Sequence, residues 1–214
     1  MGKIRFRYQK TGRAKYISHL DLMSTMQRAF LRAGMKLKYS EGFNPHPYMS
    51  AALPLPVGCE SLCELMDVGI DGSYLPDKYD HLLPEGLAIT EAYIPTRKFN
   101  DIKWIGIDCR LHYFDRSPDV TADMIIDLFS KKSLVIQKKT KSGTSAIDIA
   151  PFVRDVKINC GEAVEMTAKI SAQNPTVNQN DIVSVLSSGG NILAPDDIEL
   201  KRIDIYDADM LLFR

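Results

Sequence analysis

Residues 40–50, SEGFNPHPYMS, place Glu41, Asn44 and His46 within six residues of a loop rich in glycine and proline. A carboxylate, an amide and an imidazole so close together could exchange protons or hold a polar ligand. The same stretch also has the composition of a turn: Asn44 precedes Pro45, and Gly42 is expected to supply a positive φ. A second imidazole, His19, falls where a helix is expected to begin. The helix dipole there disfavours the protonated ring and leaves it able to accept a proton or a metal. Only residues 35–39 separate that helix from the loop, so His19 and His46 form one candidate centre. With Arg28 or Lys15 to stabilise charge, either histidine would serve as the base in a metal-independent RNA cleavage. No phosphate-cradling glycine loop, nucleophile elbow or zinc spacing occurs in the chain.

The four cysteines are Cys59, Cys63, Cys109 and Cys160, too few and too scattered for a disulfide scaffold. Cys59 and Cys63 have the C-x-x-x-C spacing that opens the cluster motif of radical S-adenosylmethionine enzymes. The third thiolate is missing, because Met66 stands in its place and a thioether is a poor substitute. The stretch CESLCELMDVGI reads instead as a strand, so neither a cluster nor any other cofactor or metal is expected.

Charge is distributed unevenly along the chain. Residues 1–50 hold ten Lys/Arg against two acids, Asp21 and Glu41, a net of +8. The rest holds 17 against 25, a net of −8, so the formal total is zero. A basic first quarter on a neutral chain points to a surface that meets an anionic partner. No apolar run reaches the roughly 18 residues that span a bilayer, and MGKIRFRYQK is not followed by a secretory apolar segment. The cytoplasm is the expected compartment.

The elements that must position these residues are legible as two similar series. KIRFRYQK alternates, with Ile4, Phe6 and Tyr8 on one face and Lys3, Arg5 and Arg7 on the other. Ser18 caps a helix with Asp21 in the capping-box position; Leu22, Met26, Ala29 and Phe30 recur at helical spacing, and Gly34 stops it. The strands YMSAAL and CELMDVGI follow, then a short helix around Leu75 to Leu83 and the strand AITEAYIP. After Pro95 the order recurs: KWIGIDCRLHYF, a helix TADMIIDLFS after a break at Pro118, a strand SLVIQKK, strands FVRDVKIN and VEMTAKIS, a helix NQNDIVSVLSS and a strand DIELKRIDIYD. Lys131 to Lys141 carries five lysines and reads as a solvated hairpin. The series predicts an α+β protein of two tandem ferredoxin-like (βαββαβ) domains, residues 1–98 and 99–214. Burying Ile4, Phe6 and Tyr8 costs far less than burying three cations, so Arg5 and Arg7 are expected on an open, cationic face of the first sheet.

RFRYQKTGRAKYISHLDLM, YSEGFNPHP, LPLPVGCES and ELMDV together resemble a bacterial radical-SAM-associated domain family of unknown function. That domain is found alone or fused to the C-terminus of cobalamin-binding-type radical SAM proteins. The resemblance is dense over residues 3–69, with Leu31 and Tyr48 standing where many relatives are basic. The resemblance implies the setting of a radical SAM enzyme. Together with the basic first quarter it leads us to expect an accessory module that binds RNA (tRNA or rRNA) or a ribonucleoprotein for that partner, in RNA modification. Arg5, Arg7, Lys15, Arg28 and Arg32 would meet phosphates, and Tyr39, Glu41, Phe43, Asn44 and His46 would shape recognition, with Tyr39, Phe43 and Tyr48 as stacking groups. A protein–protein adaptor without nucleic acid is the other class the residues allow.

Overall fold

The computed structural model describes residues 2–72, 82–140, 143–188 and 192–214, with the backbone alone for Lys139 and Thr140. It is a mixed α+β protein with ten strands and three α-helices among the described residues. No helix among them is long and apolar enough to cross a membrane. The chain divides into two compact units, residues 1–101 with Arg214, and residues 102–213.

In the first unit β1 (Gly2–Lys10) leads through a 3-10 turn to α1 (His19–Arg32), then β2 (Met49–Ala51), β3 (Glu60–Ile70) and β4 (Leu87–Tyr93). All pairings are antiparallel, in the order β4-β1-β3-β2. The helix expected around Leu75 to Leu83 lies largely outside the described residues. Ile4, Phe6 and Tyr8 are buried as their alternation predicts, against Leu22, Met26 and Phe30 of α1. The Phe6 and Phe30 rings stack 4.6 Å apart. Both ends of α1 follow local rules. The Asp21 N–H donates to Ser18 Oγ at 3.2 Å, and that hydroxyl donates to the Asp21 carboxylate at 2.7 Å. Asp21 thus closes on the capping hydroxyl, not on the Ser18 N–H that a full capping box would use. At the other end Gly34 (φ 78°) and Met35 donate back to Leu31 and Phe30, a Schellman stop.

The second unit runs β5 (Trp104–His112), α2 (Pro118–Phe129), β6 (Val135–Thr140), β7 (Gly143–Asp148), β8 (Val153–Cys160), β9 (Val164–Ser171), α3 (Gln179–Ser187) and β10 (Asp197–Tyr206). Its sheet order is β10-β5-β9-β8, antiparallel throughout. Two expectations change here. Pro118 is not a break before α2 but sits in its first turn, where the missing N–H has no cost. SLVIQKK forms a strand, but it pairs only with β7 in a separate hairpin. That hairpin is the one expected from the lysine-rich stretch, and Lys138 ties it to the Asp181 carboxylate at 2.7 Å. Asp181 also completes a full capping box with Asn178 at the start of α3.

Tyr113, just past β5, donates its hydroxyl to the Leu193 carbonyl at 2.8 Å. Burial pushes its pKa up from 10.0 to about 12. A phenol whose folded pKa lies above its unfolded one stabilises the fold fully below about pH 10 and loses that contribution as pH rises toward 12. Tyr113→Phe is therefore expected to shrink the fall in urea midpoint between about pH 9 and 11.5 relative to the wild type. An unchanged alkaline slope would remove Tyr113 from the account.

Candidate functional site

The expected cationic face is the main correction. Arg5 is 1% exposed. Its Nε and Nη2 donate to the two Asp67 carboxylate oxygens at 2.7 and 3.0 Å, and its guanidinium stacks on Phe99 at 4.3 Å. The cause is register: Asp67 of β3 stands directly opposite Arg5 of β1. Arg7, also mostly covered, meets Glu91 of β4 at 3.3 Å, again directly opposite. Lys10 is buried too, with Nζ donating to the Ile17 carbonyl at 2.7 Å. Desolvation holds its pKa below the ordinary lysine value, partly offset by Glu64 and Cys59. Three of the ten early cations thus serve the fold.

The others stay at the surface. Arg28 and Arg32 are exposed on α1, and Arg32 donates to the Leu82 carbonyl at 2.8 Å. Lys15 lies 5.4 Å from the exposed Tyr16 ring. His19 and His46 are both exposed, His19 at the start of α1 and His46 on the loop. Cys59 and Cys63 are buried thiols beside and within β3. Among the described residues no group of three or more His, Cys, Asp or Glu could hold a metal.

The loop is where the predicted residues do come together. Ser40 N–H donates to the His46 carbonyl at 2.8 Å, and His46 N–H to Ser40 Oγ at 2.9 Å, closing residues 40–46 into a ring. Gly42 takes φ 116°, as expected. Below the ring, Tyr48 N–H donates to the Lys38 carbonyl at 2.8 Å. One residue of β3 then clips both legs: Gly69 N–H donates to the Tyr48 carbonyl at 2.7 Å, and Lys38 N–H to the Gly69 carbonyl at 2.9 Å. A side chain on Gly69 would put Cβ 3.0 Å from Tyr48 Cβ, so glycine permits this close approach. Glu41, Phe43, Asn44 and His46 all point into solvent from this anchored ring, and Phe43 at its tip is fully exposed. Tyr39 and Tyr48 are exposed at its base.

Beside the clip lies a pocket of about 540 Å³, with Lys3, Lys38, Tyr48, Ser50, Asp67 and Gly69 in its wall. Lys38 Nζ is 5.8 Å from the Tyr48 ring, and Lys3 Nζ is 3.6 Å from Asp67. Because Arg5 already holds the Asp67 carboxylate, Lys3 and Lys38 leave the pocket net positive. Sequence reasoning missed it. KLKYS, immediately before the loop, offered the one signal: Lys36 and Lys38 share a face of an extended segment whose alternate residue, Leu37, is buried.

These features define an α+β protein that holds a rigid, polar and aromatic loop over a lysine-lined pocket at one edge of an antiparallel sheet. The chain belongs to a family described as an uncharacterized protein conserved in bacteria (DUF2344), whose model matches residues 3–180. No curated protein matches it.

Proposed function

We propose that this protein is a cytoplasmic accessory module that binds RNA, free or within a ribonucleoprotein, for a partner radical SAM enzyme. In this reading the radical chemistry belongs to the partner, because Met66 replaces the third thiolate of a cluster motif and both early cysteines are buried. Its frame is a tandem of ferredoxin-like domains. The orders β4-β1-β3-β2 and β10-β5-β9-β8 support that frame, with the β6–β7 hairpin as an insertion in the second.

The observation that carries the reading is Phe43. A fully exposed phenylalanine forgoes about 1.5–3 kcal/mol of burial, and here it stands on a loop fixed by five hydrogen bonds at the ring and its base. An exposed aromatic on so anchored a backbone is a stacking platform for a base, since the loop itself need not be ordered on binding. Lys36 and Lys38 precede it in the chain, and neither makes an ion pair among the described residues. Backbone phosphates would neutralise them with release of counterions.

The test is binding of bulk tRNA and rRNA fragments across a salt series, with Phe43→Ala and Lys36→Ala/Lys38→Ala. Phe43→Ala is expected to weaken binding by about 1–3 kcal/mol with the salt slope unchanged. Removing the two lysines is expected to lower that slope by about two. No binding at low salt would sink the RNA role and leave a protein adaptor, to be tested by co-purification with the radical enzyme.

A further inference from the structure

We infer that the pocket between the loop and the β1–β3–β2 strands is a single-nucleotide site, with phosphate against Lys3 and Lys38 and the base against Tyr48. This deepens the RNA reading by naming where one nucleotide of a strand would sit. At about 540 Å³ the pocket lies within the range of small-molecule sites. Its wall is mainly apolar, with few polar groups, which suits a flat heteroaromatic ring carrying one charged substituent.

The charges select an anion. Asp67 is the one acid in the wall, and its two oxygens are already taken by the Arg5 fork at 2.7 and 3.0 Å. Lys3 Nζ, 3.6 Å from that carboxylate and 59% exposed along its side chain, can swing to a ligand without stranding a buried charge. Lys38 has no carboxylate partner among the described residues, and its Nζ lies 5.8 Å from the centre of the Tyr48 ring. A phosphate would meet both ammonium groups, while the half-exposed Tyr48 ring offers the plane for a base. Gly69 keeps the wall flat: an added Cβ there would lie 3.0 Å from Tyr48 Cβ, so the backbone forms the surface at that point. The Ser50 hydroxyl adds a donor or acceptor at the rim.

The full-length protein is titrated with 5′-AMP, adenosine and inorganic phosphate, followed by calorimetry and amide shifts. AMP is expected to bind at least about tenfold more tightly than adenosine or phosphate alone, a difference of about 1.4 kcal/mol. Lys3→Ala/Lys38→Ala is expected to raise its Kd by about tenfold or more. Ser50→Trp, on the exposed side of β2, is expected to fill the pocket and abolish binding with an unchanged circular dichroism spectrum and melting point. If AMP shifts no residue of the pocket, or binds Ser50→Trp as well as wild type, the inference is wrong. RNA binding without AMP binding overturns the pocket and leaves the RNA reading standing. AMP binding that Ser50→Trp abolishes, with no RNA binding, supports the pocket for free nucleotide and overturns the RNA reading.

Discussion

Arg5→Ala is expected to destabilise the protein by about 3–5 kcal/mol, the cost of breaking a buried ion pair from one side. In urea this reads as a midpoint lower by more than about 1 M, at slopes of about 1–3 kcal/mol per molar. The cost comes from what remains. Asp67 is 5% exposed and would keep its charge with only Lys3, 3.6 Å away at the surface, in place of a two-pronged guanidinium. Phe99 would also lose the cation stacked at 4.3 Å. Arg7→Ala, two residues along the same face, is the internal control. Its partner Glu91 is 43% exposed in the side chain and the contact is 3.3 Å, so the loss is expected to stay below about 1 kcal/mol. The apolar pair Arg5→Met/Asp67→Leu should recover most of the stability, because a buried ion pair and its hydrophobic replacement differ little in net energy. A loss under about 1 kcal/mol for Arg5→Ala would mean that the pair is solvated in solution. Under the proposed RNA role, an Arg5 variant that fails to bind RNA would report a damaged fold, whereas variants at the exposed Phe43 and at Lys38 would report on binding itself.

The alternation in KIRFRYQK identified its buried face because three large apolar residues at period two leave one economical arrangement. The same pattern carries no information about the other face. Whether Arg5 meets solvent or a carboxylate depends on register with a strand 62 residues away, and one residue of slip would replace Asp67 by Met66 or Val68. The basic first quarter therefore left most of its cations at the surface but could not say that Arg5, Arg7 and Lys10 would serve the fold. Helix ends were legible because Ser18 and Gly34 act through neighbours in the chain. SLVIQKK was legible as a strand but not as a hairpin outside the main sheet, since strand propensity does not name a partner. The loop showed itself by composition. The pocket beside it did not, because Lys3, Ser50 and Gly69 come from three strands and only pairing brings them together.

Gly86→Ala is the second substitution expected to be severe, at about 2–4 kcal/mol, combining left-handed backbone strain with overlap in a packed site. Gly86 has φ 87° at the third position of a turn that Leu87 N–H closes on the Pro84 carbonyl at 3.1 Å. An alanine Cβ there would lie 2.3 Å from the Thr11 carbonyl oxygen and 2.9 Å from Ala14 Cβ. Neither can yield easily. Thr11 N–H donates to the Gly86 carbonyl at 2.8 Å, so the two backbones are already joined, and Ala14 is buried. Gly42→Ala separates the two causes: φ is 116° but no atom lies within 4 Å of the added carbon. It should cost only the backbone term, about 1–2 kcal/mol, felt in the loop more than in the global melt. The consequence of Gly86→Ala reaches past stability. The segment it would displace, Gly12–Tyr16, carries Lys15, so under the proposed RNA role binding is expected to weaken even in molecules that remain folded. A thermal melt and an RNA titration at a temperature well below the midpoint test both parts. Equal melting of Gly86→Ala and Gly42→Ala would show that the Thr11 contact relaxes, and that the turn, not the packing, makes glycine necessary there.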